Sequence, residues 1–196
     1  MSQQDREKWD KKYQQKPKLL EFRQPSRHLA ALLEKIKARG DALDLASGNG
    51  RHSLYLAKQG FHVDALDIAA AALESLEDLA LKQNVSQKIH TRLIDLDDIV
   101  FELGSYDLIV MSNYLDRDLI EQAKLSLKSG GIFFVETYMD DPINEKENSN
   151  PEFLLQKEEL KKIFDTGFET LVYDEFENEP HELWRMKKQV IAAKKL

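Results

Sequence analysis

The stretch Ala42-Leu43-Asp44-Leu45-Ala46-Ser47-Gly48-Asn49-Gly50-Arg51-His52-Ser53 decides the fold. Residues 42–46 form a short, largely apolar run that reads as a buried strand, with an acid, Asp44, set inside it. Gly48 and Gly50 follow, and residues 53–58 resume as a helix. A strand that turns through glycines into a helix is the opening of a βαβ unit. Glycines there let the backbone approach a ligand closely, and the helix N-terminus offers N–H groups to an anion.

Upstream, Leu29, Leu32, Leu33 and Ile36 recur at helical spacing from Ser26, and Gly40 is placed to close that helix. The first 24 residues are charged and dotted with Trp9, Tyr13 and Phe22, which sets them apart as an arm and possible lid on a domain of residues 25–196. Downstream, residues 61–66, 89–94 and 106–111 read as strands, and Ala69, Ala72, Leu73, Leu76 and Leu79 mark a helix face. Residues 116–127 read as a helix, and Gly130-Gly131 turns into a strand over 132–138. A polar loop (139–151) and a helix (156–164) precede two closing strands, 168–176 and 183–193, which face each other across residues 178–180. Alternating strands and helices predict an α/β, doubly wound, seven-stranded and mostly parallel sheet, its strands buried on both faces, with an antiparallel C-terminal hairpin.

The chain of 196 residues fits one domain and contains no cysteine, which excludes a disulfide scaffold, a thiol nucleophile and a Cys-ligated zinc. With 28 Lys+Arg against 35 Asp+Glu the formal charge is −7, which argues against a nucleic-acid partner. Residues 1–18 are polar, and no run approaches the ~18 apolar residues of a membrane span. A cytoplasmic protein, monomer or homodimer, acting on a small molecule is the expectation. His28, His52, His62 and His90 show no i, i+4 spacing, so no metal is assigned.

Three acids close three successive strands: Asp44, Asp67 and Asp95. In open α/β sheets the ligand lies at the carboxyl ends of the strands. Asp44, buried, needs a partner, and a cationic ligand amine would supply one. Asp67 is placed to accept both hydroxyls of a ribose, or else to cap the next helix. Asp95 is placed to accept from an adenine amino group. A nicotinamide dinucleotide wants G-x-G-x-x-G, and Gly48-Asn49-Gly50-Arg51-His52-Ser53 lacks the third glycine. S-adenosyl-L-methionine (SAM) fits Asp44 and the terminal hairpin better.

At these residues the chain resembles the class I SAM-dependent methyltransferases, from Trp9 onward. That family's loop reads D-x-G-x-G-x-G, met here by Asp44, Ala46, Gly48 and Gly50, with Ala46 replacing the first glycine. Residues 48–57 and 89–96 most resemble the tellurite-resistance (TehB-like) methyltransferases. The resemblance implies that Asp44, Ala46, Ser47, Gly48, Gly50 and Arg51 hold the methionine moiety, Asp67 and Ile68 the ribose, and Asp95 and Leu96 the adenine. Tyr13 and Arg23 of the arm would fold over the cofactor, and Asn113 would line its sulfonium end. His181 and Arg185 fall near the last hairpin, where that family places a His and arginines facing the acceptor. The implied reaction is methyl transfer to a small, soft nucleophile such as a thiol or a selenium or tellurium oxyanion. An RNA or protein methyltransferase, using Lys11, Lys12, Arg23 and the Lys-rich last strand, and a non-catalytic SAM-binding module are the alternatives.

Overall fold

A computed structural model of the chain describes residues 3–36, 39–146, 149–178 and 184–196. Seven strands are present: β1 (Asp41–Leu45), β2 (His62–Asp67), β3 (Ile89–Leu93), β4 (Tyr106–Ser112), β5 (Leu127–Tyr138), β6 (Phe168–Glu177) and β7 (Lys187–Lys195). They form one sheet in the order β3-β2-β1-β4-β5-β7-β6. β1 to β5 pair in parallel, and β7 runs antiparallel to both its neighbours. The chain moves outward from β1 through β2 to β3, then returns to β1's other side with β4, so the strand order reverses between β1 and β4. That reversal opens a crevice at their carboxyl ends.

Among the described residues, six α-helices accompany the sheet: α1 (Gln3–Gln15), α2 (Arg27–Lys35), α3 (Arg51–Gln59), α4 (Ala70–Lys82), α5 (Arg117–Ser126) and α6 (Glu159–Ile163). Side chains alternate along a strand, so each strand feeds two cores. Ala42, Val63, Leu108, Val110, Phe134 and Val190 pack under Leu29, Leu33, Leu54, Leu73 and Leu76 of α2, α3 and α4. Leu43, Leu45, Ile109, Phe133, Val135 and Ile191 pack under Leu119 and Ile120 of α5 and Leu160 of α6. This is the doubly wound sheet with an antiparallel closing pair that the sequence predicts. Among the described residues, no helix is long and apolar enough to cross a membrane.

Four details differ from the expectation. α2 ends at Lys35, capped by Ile36, so Gly40 does not close it. Gly40 instead gives room to Asp107, whose carboxylate would lie 2.1 Å from a Cβ at that position. Gly130 and Gly131 lie inside β5, which begins at Leu127, where the pairing with β4 shifts register. A Cβ on Gly131 would sit 2.9 Å from the Lys128 carbonyl and 3.0 Å from the Tyr106 carbonyl, both backbone atoms, so the backbone here favours glycine. α6 has five residues, fewer than expected. β3 is an edge strand with His90, Arg92 and Leu93 exposed, so burial on both faces holds only for the inner strands.

Candidate cofactor site

The turn after β1 lies at the crevice. Ala46, Gly48 and Gly50 all adopt left-handed backbone, at φ +55°, +56° and +74°. Gly50 is sterically required, because a Cβ there would lie 2.2 Å from the Leu76 side chain of α4. Ala46 bears the strain that glycine would avoid, about 1–2 kcal/mol for an L-residue in this region. The turn is closed by Gly50 N–H donating to the Ser47 carbonyl at 3.0 Å, and Ser47 N–H reaches across to the Leu66 carbonyl of β2 at 2.9 Å.

Two of the three strand-end acids brace this turn. Asp44 is fully buried, and its Oδ2 accepts from the Ser53 N–H (3.1 Å) and the Ser53 hydroxyl (2.6 Å). The partner expected from a ligand is thus already supplied in part by α3. Burial still pushes the Asp44 carboxyl up to about 7, against the pull of Ser53 and Arg51. Asp67 takes the Gly48 N–H on Oδ2 (2.7 Å) and the Ala69 N–H on Oδ1 (2.9 Å). It locks the glycine turn to the end of β2 and orders the entry to α4, whose N-cap is Ala69. Burial raises its carboxyl despite those backbone bonds.

Asp95 is half-buried and caps the short turn at Leu96–Asp98 by accepting from Asp97 N–H at 3.1 Å. Ile68 and Leu96 are both buried. Asn113 follows β4 at φ +57°, exposed, with its N–H donating to the Glu136 carbonyl at 2.9 Å.

The arm lies across this rim. Asp10 accepts from the Ala71 N–H at 3.4 Å, and the Glu21 carbonyl accepts from the Asn49 amide at 3.0 Å. The Tyr13 hydroxyl stands over Gly48, 3.1 Å from where a Cβ would be. Burial and the Asp67 charge push the Tyr13 phenol far up. Arg23 follows, close enough for its charge to act on both Tyr13 and His52. Its Nε is buried without a hydrogen-bond partner, and so is the Ser47 hydroxyl. Buried orphans of this kind are rare, and a ligand's polar groups would satisfy them.

The acceptor-side expectations fare differently. His181 lies outside the described residues. Arg185 is exposed and forms a two-pronged pair with Glu177 (2.8 and 2.7 Å), while its N–H donates to Glu145 at 3.1 Å. It stands at the start of β7, three strand positions from β1. At about 4.8 Å per strand, β7 and β1 are about 14 Å apart across the sheet. A group that sequence reasoning missed lies between them: Ser26, His28, His52, Glu136 and Lys188. Glu136 had a legible signal, since it is an acid ending the apolar run Ile132-Phe133-Phe134-Val135 in the way Asp44 does in β1. Among the described residues, no group of His, Asp and Glu is placed to hold a metal ion.

The family model for tellurite resistance protein TehB matches residues 2–189. The chain belongs to the TehB family. Its fold is that of the class I methyltransferases. The TehB crystal structure from Haemophilus influenzae aligns at 26% identity and a TM-score of 0.73, over 86% of this chain and 62% of that one. A SAM-dependent methyltransferase from Methanosarcina mazei aligns at 19% identity and a TM-score of 0.69, over 89% and 99% of the two chains, and shares the fold. Among curated proteins, sarcosine/dimethylglycine N-methyltransferase of Aphanothece halophytica is 32% identical over 116 residues, 55% of this chain and 42% of that protein. The chain thus spans less than two thirds of either the Haemophilus structure or the curated relative.

Proposed function

We propose that this TehB-family chain binds SAM along the carboxyl rim of β1, β2 and β4 and transfers its methyl group to a small, soft nucleophile. The observation that carries the reading is the braced turn beside two buried, unpartnered polar atoms, Arg23 Nε and Ser47 Oγ. A ligand with an amino-acid head group fits this set. Asp44 would face its ammonium, and Arg23 and the Ser47 hydroxyl would face its carboxylate. Asp67 would take the ribose hydroxyls, Ile68, Asp95 and Leu96 would hold the adenine, and Asn113 would stand at the sulfonium. When bound, SAM supplies an electrophilic methyl on a positively charged sulfur. For an acceptor that is already nucleophilic, the chain's own residues need only seat it in line and exclude water.

A large polymeric acceptor is less well supported. Lys188 of the last strand is buried, and Lys195 donates to the Lys124 and Leu127 carbonyls at 3.0 and 2.8 Å. The basic patch that an RNA would use is therefore dispersed. The test is calorimetric titration with SAM, with NADH as control, followed by S-adenosylhomocysteine release in the presence of thiols, selenite or tellurite. Micromolar SAM binding without an NADH signal supports the cofactor, and turnover with a small acceptor supports the reaction. Absence of SAM binding refutes the proposal.

A further inference from the structure

The two edges of the sheet are built differently. β6, at one edge, carries Glu169, Asp174, Glu175 and Glu177, acids that hold off another strand. β3, at the other edge, reads Ile89-His90-Thr91-Arg92-Leu93 and has no acid. Its pairing with β2 fixes which backbone groups stay free. The Ile94 N–H donates to the Asp67 carbonyl at 3.0 Å, so His90 and Arg92, which alternate with Ile94, turn their N–H and C=O groups inward to β2. Ile89, Thr91 and Leu93 turn theirs outward, where no strand lies among the described residues.

The side chains on this edge complement themselves. An antiparallel copy of β3, related by a two-fold axis at Thr91, sets Thr91 against Thr91, Ile89 against Leu93 and His90 against Arg92. The first two are the pairs that exchange both backbone bonds, since their groups face outward. Ile89 packs on the core under α3 and α4, so on that face two apolar pairs of Ile89 with exposed Leu93 flank the axis. On the other face Arg92 meets His90, which Asp64 holds at 3.0 Å. Asp64 also accepts from the Tyr106 hydroxyl at 2.7 Å, and it supplies that face with a carboxylate to offset the guanidinium.

Helix α4 extends the match. It packs on β2 and β3, and Glu77 accepts from the Thr91 hydroxyl, which puts Glu77 level with the axis. With β3 and its copy about 4.8 Å apart, the two α4 helices come antiparallel at about the 8–10 Å spacing of packed helices. At about 1.5 Å per residue, Glu74 lies about 4.5 Å to one side of the axis and Lys82 about 7.5 Å to the other. Each Glu74 therefore comes level with Lys82 of the second copy, and exposed Leu81 lies next to that Lys82. At the axis itself Glu77 meets its own charge.

We propose that this edge is a homodimer interface, in which two copies of the chain pair β3 to β3 about a two-fold axis at Thr91 and share one continuous sheet. The symmetry is closed, so assembly stops at two chains. The pairing is independent of the cofactor reading, although it adjoins that rim: Lys88 of the second copy falls opposite Ile94, next to Asp95.

Sedimentation equilibrium of the full chain over a dilution series is expected to give twice the 22.7 kDa of one chain, dissociating on dilution. A mass of one chain throughout overturns the inference, and so does a mass that grows past two chains, which marks head-to-tail pairing of β3 with β6. Thr91→Cys reads the axis directly. The chain has no cysteine of its own, so a crosslink can join only the two introduced thiols. Residues opposed in such a pair stand about 5.5 Å apart, within the range of about 4.4–6.8 Å that a disulfide spans. With oxidised glutathione as oxidant, Thr91→Cys should give a covalent dimer and Glu169→Cys, on the other edge, none. No crosslink from Thr91→Cys, or equal crosslinking from both, overturns the two-fold. Leu93→Lys changes an exposed side chain and sets an ammonium against Ile89 of the second copy. It should weaken the dimer more than about tenfold while circular dichroism shows the fold intact; an unchanged dimer overturns the interface. Glu77→Gln removes the like-charge contact at the axis and should tighten the dimer several-fold, whereas a looser dimer overturns the placement of the axis.

Discussion

At pH 6, protonation of one group, Asp44, should weaken SAM binding about tenfold relative to its ionised form. Its carboxyl is pushed up to about 7, first by burial, with Ser53 and Arg51 opposing. Pairing with the ligand's α-ammonium requires the ionised form. One pH unit below 7 only about a tenth of the sites are ionised, so apparent affinity falls about tenfold, or about 1.4 kcal/mol. Binding at that pH should release about 0.9 proton as the pair forms. On the alkaline side the ligand's own α-amino group, near 7.7–8.0, loses its charge. Affinity should therefore rise through pH 7, peak just above it and decline beyond about 8. Calorimetry in phosphate and in Tris, whose ionisation enthalpies differ, reads the proton release directly. Asp44→Asn keeps an oxygen for Ser53 and should flatten the ascending limb at a lower affinity. An affinity constant from pH 5.5 to 7.5, with no buffer dependence, would refute the placement of the ammonium at Asp44. The same shift bears on stability without ligand. The folded-state value lies above the unfolded 3.8, so the native chain binds the proton more tightly than the unfolded one. The associated stability is fully present below about pH 4, is lost as pH rises toward 7, and changes no further above it.

Other outcomes follow from the turn and the arm. Ala46→Gly should raise stability by about 0.5–1 kcal/mol in thermal melts, because the strain at φ +55° exceeds the added chain entropy. A lowered melting temperature would contradict that. Gly50→Ala should cost about 2–3 kcal/mol in urea unfolding through the Leu76 contact, and Leu76→Val in the same chain should recover part of it. Removing residues 1–24 should weaken SAM binding by more than about tenfold, since Tyr13 and Asn49 tie the arm to the turn; unchanged affinity would reduce the arm to a packing element.

How much of the site was legible depends on how local its signal is. Asp44, Asp67 and Asp95 stand out in the chain because each breaks an apolar run at its end, and two of them do brace the turn. Glu136 ends an apolar run in the same manner, but its meeting with Lys188 depends on β7 inserting between β5 and β6, which no local spacing records. Ser26 and His28 look like an ordinary helix start. Only the docking of α2 over the β5 end turns them toward Glu136. Arg185 stands near the closing hairpin, where Glu177 pairs with it at the surface.

By itself the sequence determined the order and type of the elements, because hydrophobic periodicity and glycine backbone freedom act over a few residues. It thereby determined the parallel sheet, the antiparallel closing pair and the carboxyl rim at which open α/β sheets bind ligands. The tertiary structure alone decided which strands are edges, why Gly40, Gly50 and Gly131 are glycine, and which distant charges share one buried corner. Those depend on contacts between residues far apart in the chain, where burial and a neighbour's charge, not spacing, set what each side chain does.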